Sequence, residues 1–377
     1  MIDFYLLFDF SFSVSRMPYF CLTAMKLLSC RSLTTMQRLL LFFLFMPGLA
    51  KAQLGGSYTY QYLQLPVSAR SAALGTWNVS TADEDLSMAW YNPAVLNDSM
   101  HNRLHINHAL RAGNVNSGLV AYGRKLDDRP VNTWAGLMYN TYGQMPAFDE
   151  TGQQTGTFSA SEFALVTGIS YTAGNLRYGT NIRLLFGQLE NYHSLGLAMD
   201  IGAHYHLDEK RLDAGLVLRN IGAQLTSYTP SGREELPFEI QAGISKKLAY
   251  LPLRITLTGH NLERFDIRYD DPSNASATIF QLDSNQAEKT YFGDKLLRHL
   301  VLSGEFYFGR NFRARVGYDY MQQKEMVLTT YRGLTGFSLG FGFQINKYAV
   351  DYGYEIASVS GGNHFLTISA DLDEFLR

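Results

Sequence analysis

The chain has 377 residues, with 32 basic and 34 acidic side chains, 33 glycines, 14% aromatics and two cysteines. That balance leaves no basic surplus to attract nucleic acid. High glycine and aromatic content suits a β protein with membrane girdles.

Residues 1–52 read as an upstream extension plus an export signal. Leu39–Leu49 is an apolar run preceded by Arg38 and followed by Ala50-Lys51-Ala52, a small-residue pattern that predicts cleavage after Ala52. At about a dozen residues the run is too short to span a bilayer, which takes ~20. Met25 or Met36 would serve as the start. A lipoprotein signal ending at Cys30 is the lesser alternative, because it leaves the better apolar run unexplained. Cys21 and Cys30 both leave with the signal, so neither disulfides nor thiolate metal sites are expected. Arg16, Lys26, Arg31, Arg38 and Lys51 also leave, against only Asp3 and Asp9, and the mature chain is mildly acidic.

Residues 53–101 show little strand alternation. Ser68–Leu96 carries small residues (Ala69, Ala72, Ala73, Gly75), the acids Asp83, Glu84 and Asp85, and then Asn92-Pro93-Ala94. Pro93 lacks a backbone donor, which disqualifies a central strand. The segment is expected to be a plug, or hatch, inside a barrel. Ser87–Trp90 is expected to form a short helix capped by Asp83 or Asp85. The acid run could cap a helix, bind a cation or pair with lumen arginines; pairing is favoured, with Arg313, Arg315 and Arg219 as candidates, because unpaired buried charge is costly.

From residue 102 to 377 the period is two. Phe337, Leu339, Phe341, Phe343 and Ile345 alternate with Ser338, Gly340, Gly342, Gln344 and Asn346, and Tyr348–Ile356 repeats the pattern. The segments run about ten residues, longer than the usual five or six of soluble strands. Their polar face is glycine, serine and isolated charge, which suits a lumen. The expected fold is all-β: a transmembrane antiparallel barrel of about fourteen strands. The strands are placed near 103–110, 115–126, 131–142, 161–172, 176–189, 194–207, 211–221, 237–249, 252–263, 298–309, 312–322, 334–346, 348–357 and 363–373. Short connections alternate with the long segments 143–160, 222–236, 264–297 and 323–333. This puts both termini in the periplasm and the long loops outside the cell. In the longest loop, Arg264, Phe265, Arg268, Tyr269, Tyr291 and Phe292 are candidate partner contacts, since arginine and aromatics are enriched at interfaces.

Chemistry is poorly represented. His101, His105 and His108 could hold a metal only at helical spacing, and strand geometry sends His108 to the opposite face from the other two. Asp200, His204 and His206 share a strand face with no marked nucleophile. Neither group carries an expectation of catalysis or metal binding, and no cofactor is called for.

The ordered set Ser68–Gly75, then acids, then Asn92-Pro93-Ala94-Val95-Leu96 resembles the FadL-like outer-membrane barrels. Within them it is similar to the PorV/PorQ branch of the type IX secretion system of Bacteroidetes, a likeness extended by Gly55–Tyr60 and Leu63–Pro66. The resemblance implies a fourteen-stranded barrel with an N-terminal hatch, whose hatch residues are Arg70, Gly75, Asp85, Asn92, Pro93 and Ala94. It also implies a non-enzymatic part in the complex that attaches secreted cargo to the cell surface. The partners so implied are the outer-membrane bilayer, a PorZ-like surface protein, the PorU-like sortase with its PorV-like barrel, and lipopolysaccharide. Transport of hydrophobic small molecules, as in other FadL relatives, is the alternative. The terminal Phe375-Leu376-Arg377 departs from an aromatic barrel end.

Overall fold

The computed structural model describes residues 58–126, 129–229, 232–268, 292–326, 333–358 and 361–373. The leader, Tyr269 and Tyr291 lie outside them.

Fourteen strands form one closed antiparallel barrel. They are β1 (Arg103–Arg111), β2 (Val115–Lys125), β3 (Val131–Phe148), β4 (Gln154–Ala173), β5 (Leu176–Leu189), β6 (Tyr192–Leu207) and β7 (Leu212–Thr226). β8 (Glu239–Lys247), β9 (Leu253–Gly259), β10 (Leu300–Phe308), β11 (Phe312–Asp319), β12 (Phe337–Ile345), β13 (Tyr348–Ser358) and β14 (Gly361–Asp371) complete it. Each strand pairs with its chain neighbours. β14 closes on β1 in the register Arg103↔Asp371 to Leu110↔His364, so no edge is left unpaired around the ring.

Alternation explains why the barrel turns inside out relative to a soluble protein. Along β5 the side chains of Ile182, Leu184 and Phe186 point outward and are exposed, while Asn181 and Arg183 point inward with no exposure at all. The outward set continues through Leu216, Leu257, Leu302, Phe341 and Ile368. Water would penalise such a stripe at roughly 25 cal/mol per Å², so the solvent of this face is lipid. Phe308, Phe312 and Phe343 pack in tilted pairs at 5.5 and 4.9 Å between ring centroids near the short-turn end, where a girdle belongs.

Three connections differ from expectation. Residues 143–160 were expected as a loop, but most of them extend β3 and β4 into a hairpin, with Gln144↔Ser159 through Phe148↔Gln154 paired beyond a bulge at Thr141. Its tip is an Asp149 turn, whose carboxylate accepts from the backbone N–H groups of Thr151 and Gln153, each at 2.9 Å. Both faces of this extension meet water, so it lacks the apolar alternation that marks the wall. The long loops also carry short helices, α2 (Phe292–Arg298) and α3 (Tyr320–Met326).

Candidate functional site: the hatch and its ion network

The described hatch residues run from Tyr58 to Met100 and supply most of the buried apolar core, including Tyr62, Leu63, Leu86, Met88, Trp90, Val95 and Leu96. Its local structure is a series of side-chain caps. Helix α1 (Ala69–Ala73) starts in a reciprocal capping box between Ser68 and Ser71. Gly75 ends that turn at φ +78°, and a Cβ there would lie 2.7 Å from Val301. Asp85 caps the 3-10 turn Leu86–Trp90 by accepting from Ser87 N–H at 3.0 Å. Asn92 caps Pro93–Val95 by accepting from Ala94 N–H, while its amide donates to the carbonyls of Val79 and Ala203. Pro93 occupies the first helical position, where its missing N–H costs nothing.

Wall glycines let the hatch backbone come close. A Cβ on Gly353 would sit 2.3 Å from the Ala69 carbonyl oxygen, and one on Gly179 would sit 2.5 Å from the Pro93 carbonyl carbon. The glycine-rich polar face seen in the strands is therefore the seat of the hatch.

Arg70 is the centre of the charge network, and its side chain is 2% exposed. It meets Asp83 at 2.7 Å, Glu305 at 2.8 Å and Asp85 at 3.4 Å. Arg254 reaches Asp83 at 2.8 Å and Glu305 at 3.3 Å; Arg315 reaches Glu305 at 2.8 Å and Asp351 at 2.5 Å. Arg313 pairs with Glu84 at the margin, and the Tyr307 hydroxyl donates to Glu305. Burial alone would raise the Asp83 carboxyl, but the Arg70 and Arg254 guanidiniums outweigh it and hold the group well below the usual carboxylate range.

Two further arginines clamp the hatch. Arg183 pairs with Asp200 at 2.5 Å, donates to the Trp90 carbonyl at 2.6 Å and lies 4.2 Å over the Trp90 ring. Arg219 approaches Glu239 at 3.8 Å, donates to the Leu63 carbonyl and stands 5.4 Å over Tyr91.

Of the arginines proposed for the acid run, only Arg313 reaches it. Arg315 is taken by Glu305 and Asp351, and Arg219 by Glu239, because those acids are their neighbours in the strand ladder or close to it. Arg254, Glu305 and Asp351 were not anticipated. Their signal was the Arg254–Glu305–Arg315 alternation across adjacent lumen positions. The histidines are dispersed: His105 lies 3.7 Å from Asp85 inside, His108 faces outward against the Tyr139 hydroxyl, and His101 accepts from Lys125 N–H. No metal-ligand cluster occurs among the described residues. Asp200 is committed to Arg183, whereas His204 faces Ser80 and Asp213.

On the long-loop side, Phe265 and Phe292 are exposed and pack together at 5.6 Å, while Arg264 lies 4.9 Å over the Tyr58 ring. Arg268 and Lys295 both bind Asp266, and these hydrogen bonds hold its carboxyl well below the usual range. The wall itself is interrupted nearby. A bulge at Asn220 (φ +56°) turns β7 aside, and its ladder with β8 stops at Arg219↔Glu239. A cavity of about 410 Å³ lies at that break, lined among others by Ile221, Ala223, Gln224, Leu236 and Phe238.

No family model and no curated relative matches this chain. Among solved structures it is similar to the Ralstonia pickettii toluene transporter TbuX, at 10% identity and TM-score 0.50, covering 82% of this chain and 99% of that one. It is also similar to the Pseudomonas putida toluene transporter TodX, at 12% identity and TM-score 0.48, covering 81% and 97%. What this likeness shows is the fold, a closed fourteen-stranded antiparallel barrel, here with the N-terminal hatch packed inside it.

Proposed function

We propose that this barrel is a closed anchor of the outer membrane that holds a surface protein for a type IX secretion attachment complex, without catalysis of its own. The observation that carries this reading is the hatch. It fills the lumen with buried side chains and is fastened by three arginine clusters, a construction suited to a permanent stopper. The hatch motif, Ser68–Gly75 followed by Asn92-Pro93-Ala94, supplies the resemblance to the secretion branch. The exposed Phe265–Phe292 pair offers an outward contact for a PorZ-like protein. Affinity isolation of the tagged protein from gently solubilised membranes tests it. Recovery of such a surface protein, with or without the PorU-like sortase and PorV-like barrel, is expected; the barrel alone, even after crosslinking, would defeat the reading. Lipopolysaccharide in the same eluate would extend it.

A second reading is transport of small hydrophobic molecules. It is favoured by the fold shared with a toluene transporter and by the cavity at the β7–β8 break. Ala223→Trp would fill that cavity. Loss of aromatic-hydrocarbon uptake in this variant, with normal barrel levels, would move the weight to transport.

A further inference from the structure

Glu162, on the lumen face of β4 near the long-loop end, takes no part in either reading. It stands directly opposite Asn140 on β3 and Gly187 on β5. It is half-buried, yet among the described residues no cation reaches its carboxylate. Two groups donate to it, the Tyr142 hydroxyl at 2.6 Å and the Asn140 amide at 3.4 Å, and both go to Oε2. Oε1 accepts no hydrogen bond among the described residues and is not sealed from water. Asn140 is fully buried, and its side-chain carbonyl oxygen likewise has no donor among them. Tyr62, Tyr142 and Tyr228 all lie within reach of the Glu162 charge. Tyr62 belongs to the hatch and is fixed by donating its hydroxyl to the Phe163 carbonyl at 2.8 Å. Tyr228 enters from the β7–β8 connection, and its hydroxyl lies over Gly187, where a Cβ would overlap it. Glu234 adds a second negative charge near Tyr228. The cations that approach these tyrosines are committed elsewhere, Arg183 to Asp200 at 2.5 Å and Arg111 to the Ser117 hydroxyl and the Pro66 carbonyl.

We propose that Glu162 and the tyrosines around it bind a primary alkylammonium group, the chemistry shared by a free alkylamine and a lysine side chain. The row Asn140–Glu162 has more acceptors than donors and a charge without a counter-charge, and burial makes both costly. A primary ammonium brings three N–H donors and one positive charge. One N–H meets Glu162 Oε1, and a small turn of the Asn140 amide lets its carbonyl oxygen accept another. Tyrosine walls suit a partly desolvated cation. A guanidinium would seek both carboxylate oxygens side by side, but Oε2 already holds two donors. A quaternary ammonium has no N–H to give. A single carboxylate among phenols also lacks the oxygen shell that a divalent cation takes.

The test titrates the full chain, in a nonionic detergent micelle, with Nα-acetyl-lysine methylamide and reads binding by saturation-transfer NMR. Salt is set at about 150 mM, where unspecific attraction is screened beyond ~8 Å. Saturable binding is expected, weakened roughly tenfold or more by Glu162→Gln, which can keep the Tyr142 hydrogen bond but removes the charge. Gly187→Ala, which expels Tyr228, should weaken it about threefold. Glu190→Gln, at an exposed acid of the β5–β6 turn, should leave it unchanged. A parallel titration with 5-aminopentanol separates the two sources. Equal affinity supports the site as one for free amines, and tighter binding of the lysine mimic supports it as one for a protein side chain. Absence of saturation, or equal affinity for the ε-trimethylated mimic, would overturn the proposal. So would undiminished binding by Glu162→Gln with heat-dependent gel migration intact. Should that variant fail to fold, unchanged affinity in Gly187→Ala would overturn it instead.

Discussion

Arg70→Ala removes the centre of the hatch network and should separate hatch stability from barrel stability. Three contacts disappear, to Asp83, Asp85 and Glu305. Removing one partner of a buried ion pair costs about 3–5 kcal/mol, because the other charge is left uncompensated. Here Arg254 remains on both Asp83 and Glu305, and Arg315 remains on Glu305, so the lower figure applies. About 3 kcal/mol corresponds to roughly a hundredfold rise in the open population of the hatch. Hydrogen exchange read by mass spectrometry can resolve this, since hatch amides open sub-globally while wall amides open only with the barrel. Peptides from residues 68–96 should exchange roughly a hundredfold faster at about 3 kcal/mol of destabilisation, and β5 and β13 peptides should be unchanged. Adding Asp83→Asn should recover part of the protection by removing the surplus carboxylate. Less than a threefold change in the hatch, or an equal acceleration in the wall, would show that the network is not what fastens the hatch.

Gly353→Val should leave the barrel folded, with heat-dependent migration in detergent gels preserved. It should also make the hatch protease-sensitive, because the added Cβ meets the Ala69 carbonyl at 2.3 Å; overpacking of this kind costs about 1–3 kcal/mol. A protease-resistant hatch would contradict the close seating. Ile182→Arg places a charge on the lipid face and should destabilise the barrel by about 2–4 kcal/mol near the midplane, lowering the urea midpoint in lipid vesicles; an unchanged midpoint would count against the outward assignment. The depressed Asp83 carboxyl predicts a pH response with a definite sign. Its stabilisation is full above the unfolded carboxylate range and disappears only as pH falls through the lower folded value. Acrylamide quenching of tryptophan should therefore stay flat from neutral pH down to the ordinary carboxylate range. A rise nearer neutral pH would show that the Asp83 carboxylate is not what controls the hatch.

Strand number and most boundaries were legible because lipid and lumen impose opposite chemistry on alternate residues, and nothing else in the chain does so. The β3–β4 extension escaped for the same reason in reverse: Gln144–Phe148 and Gln154–Ser159 stand where both faces are wet, and alternation carries no meaning there. The hatch was visible as an interruption of the period, and its caps were readable locally, Asp85 before Leu86–Trp90 among them. Ion-pair choice was not. Whether Asp83 meets Arg254 or Arg315 depends on where a short helix lands on a wall built from residues far downstream, and local spacing says nothing about that. Arg219 and Glu239 are different, because they are register partners on adjacent strands and could have been matched by aligning the two lumen faces.

The hatch leaves the ribosome first, yet the anchors of its first helix come last. Arg70 and Glu305 are separated by 235 positions, and the Ala69 N–H donates to Thr367 across 298. Helix α1 rests chiefly on β11–β14, so it has no seat until the final third of the wall exists. Such distant contacts are reached slowly, because closure entropy must be met before they contribute. During assembly α1 must wait unseated within a half-built cylinder, even once Trp90 and Leu63 have met Arg183 and Arg219. Its locking then coincides with the joining of β14 to β1, which makes the hatch a chemical register of whether the ring has closed with its strands in the right order.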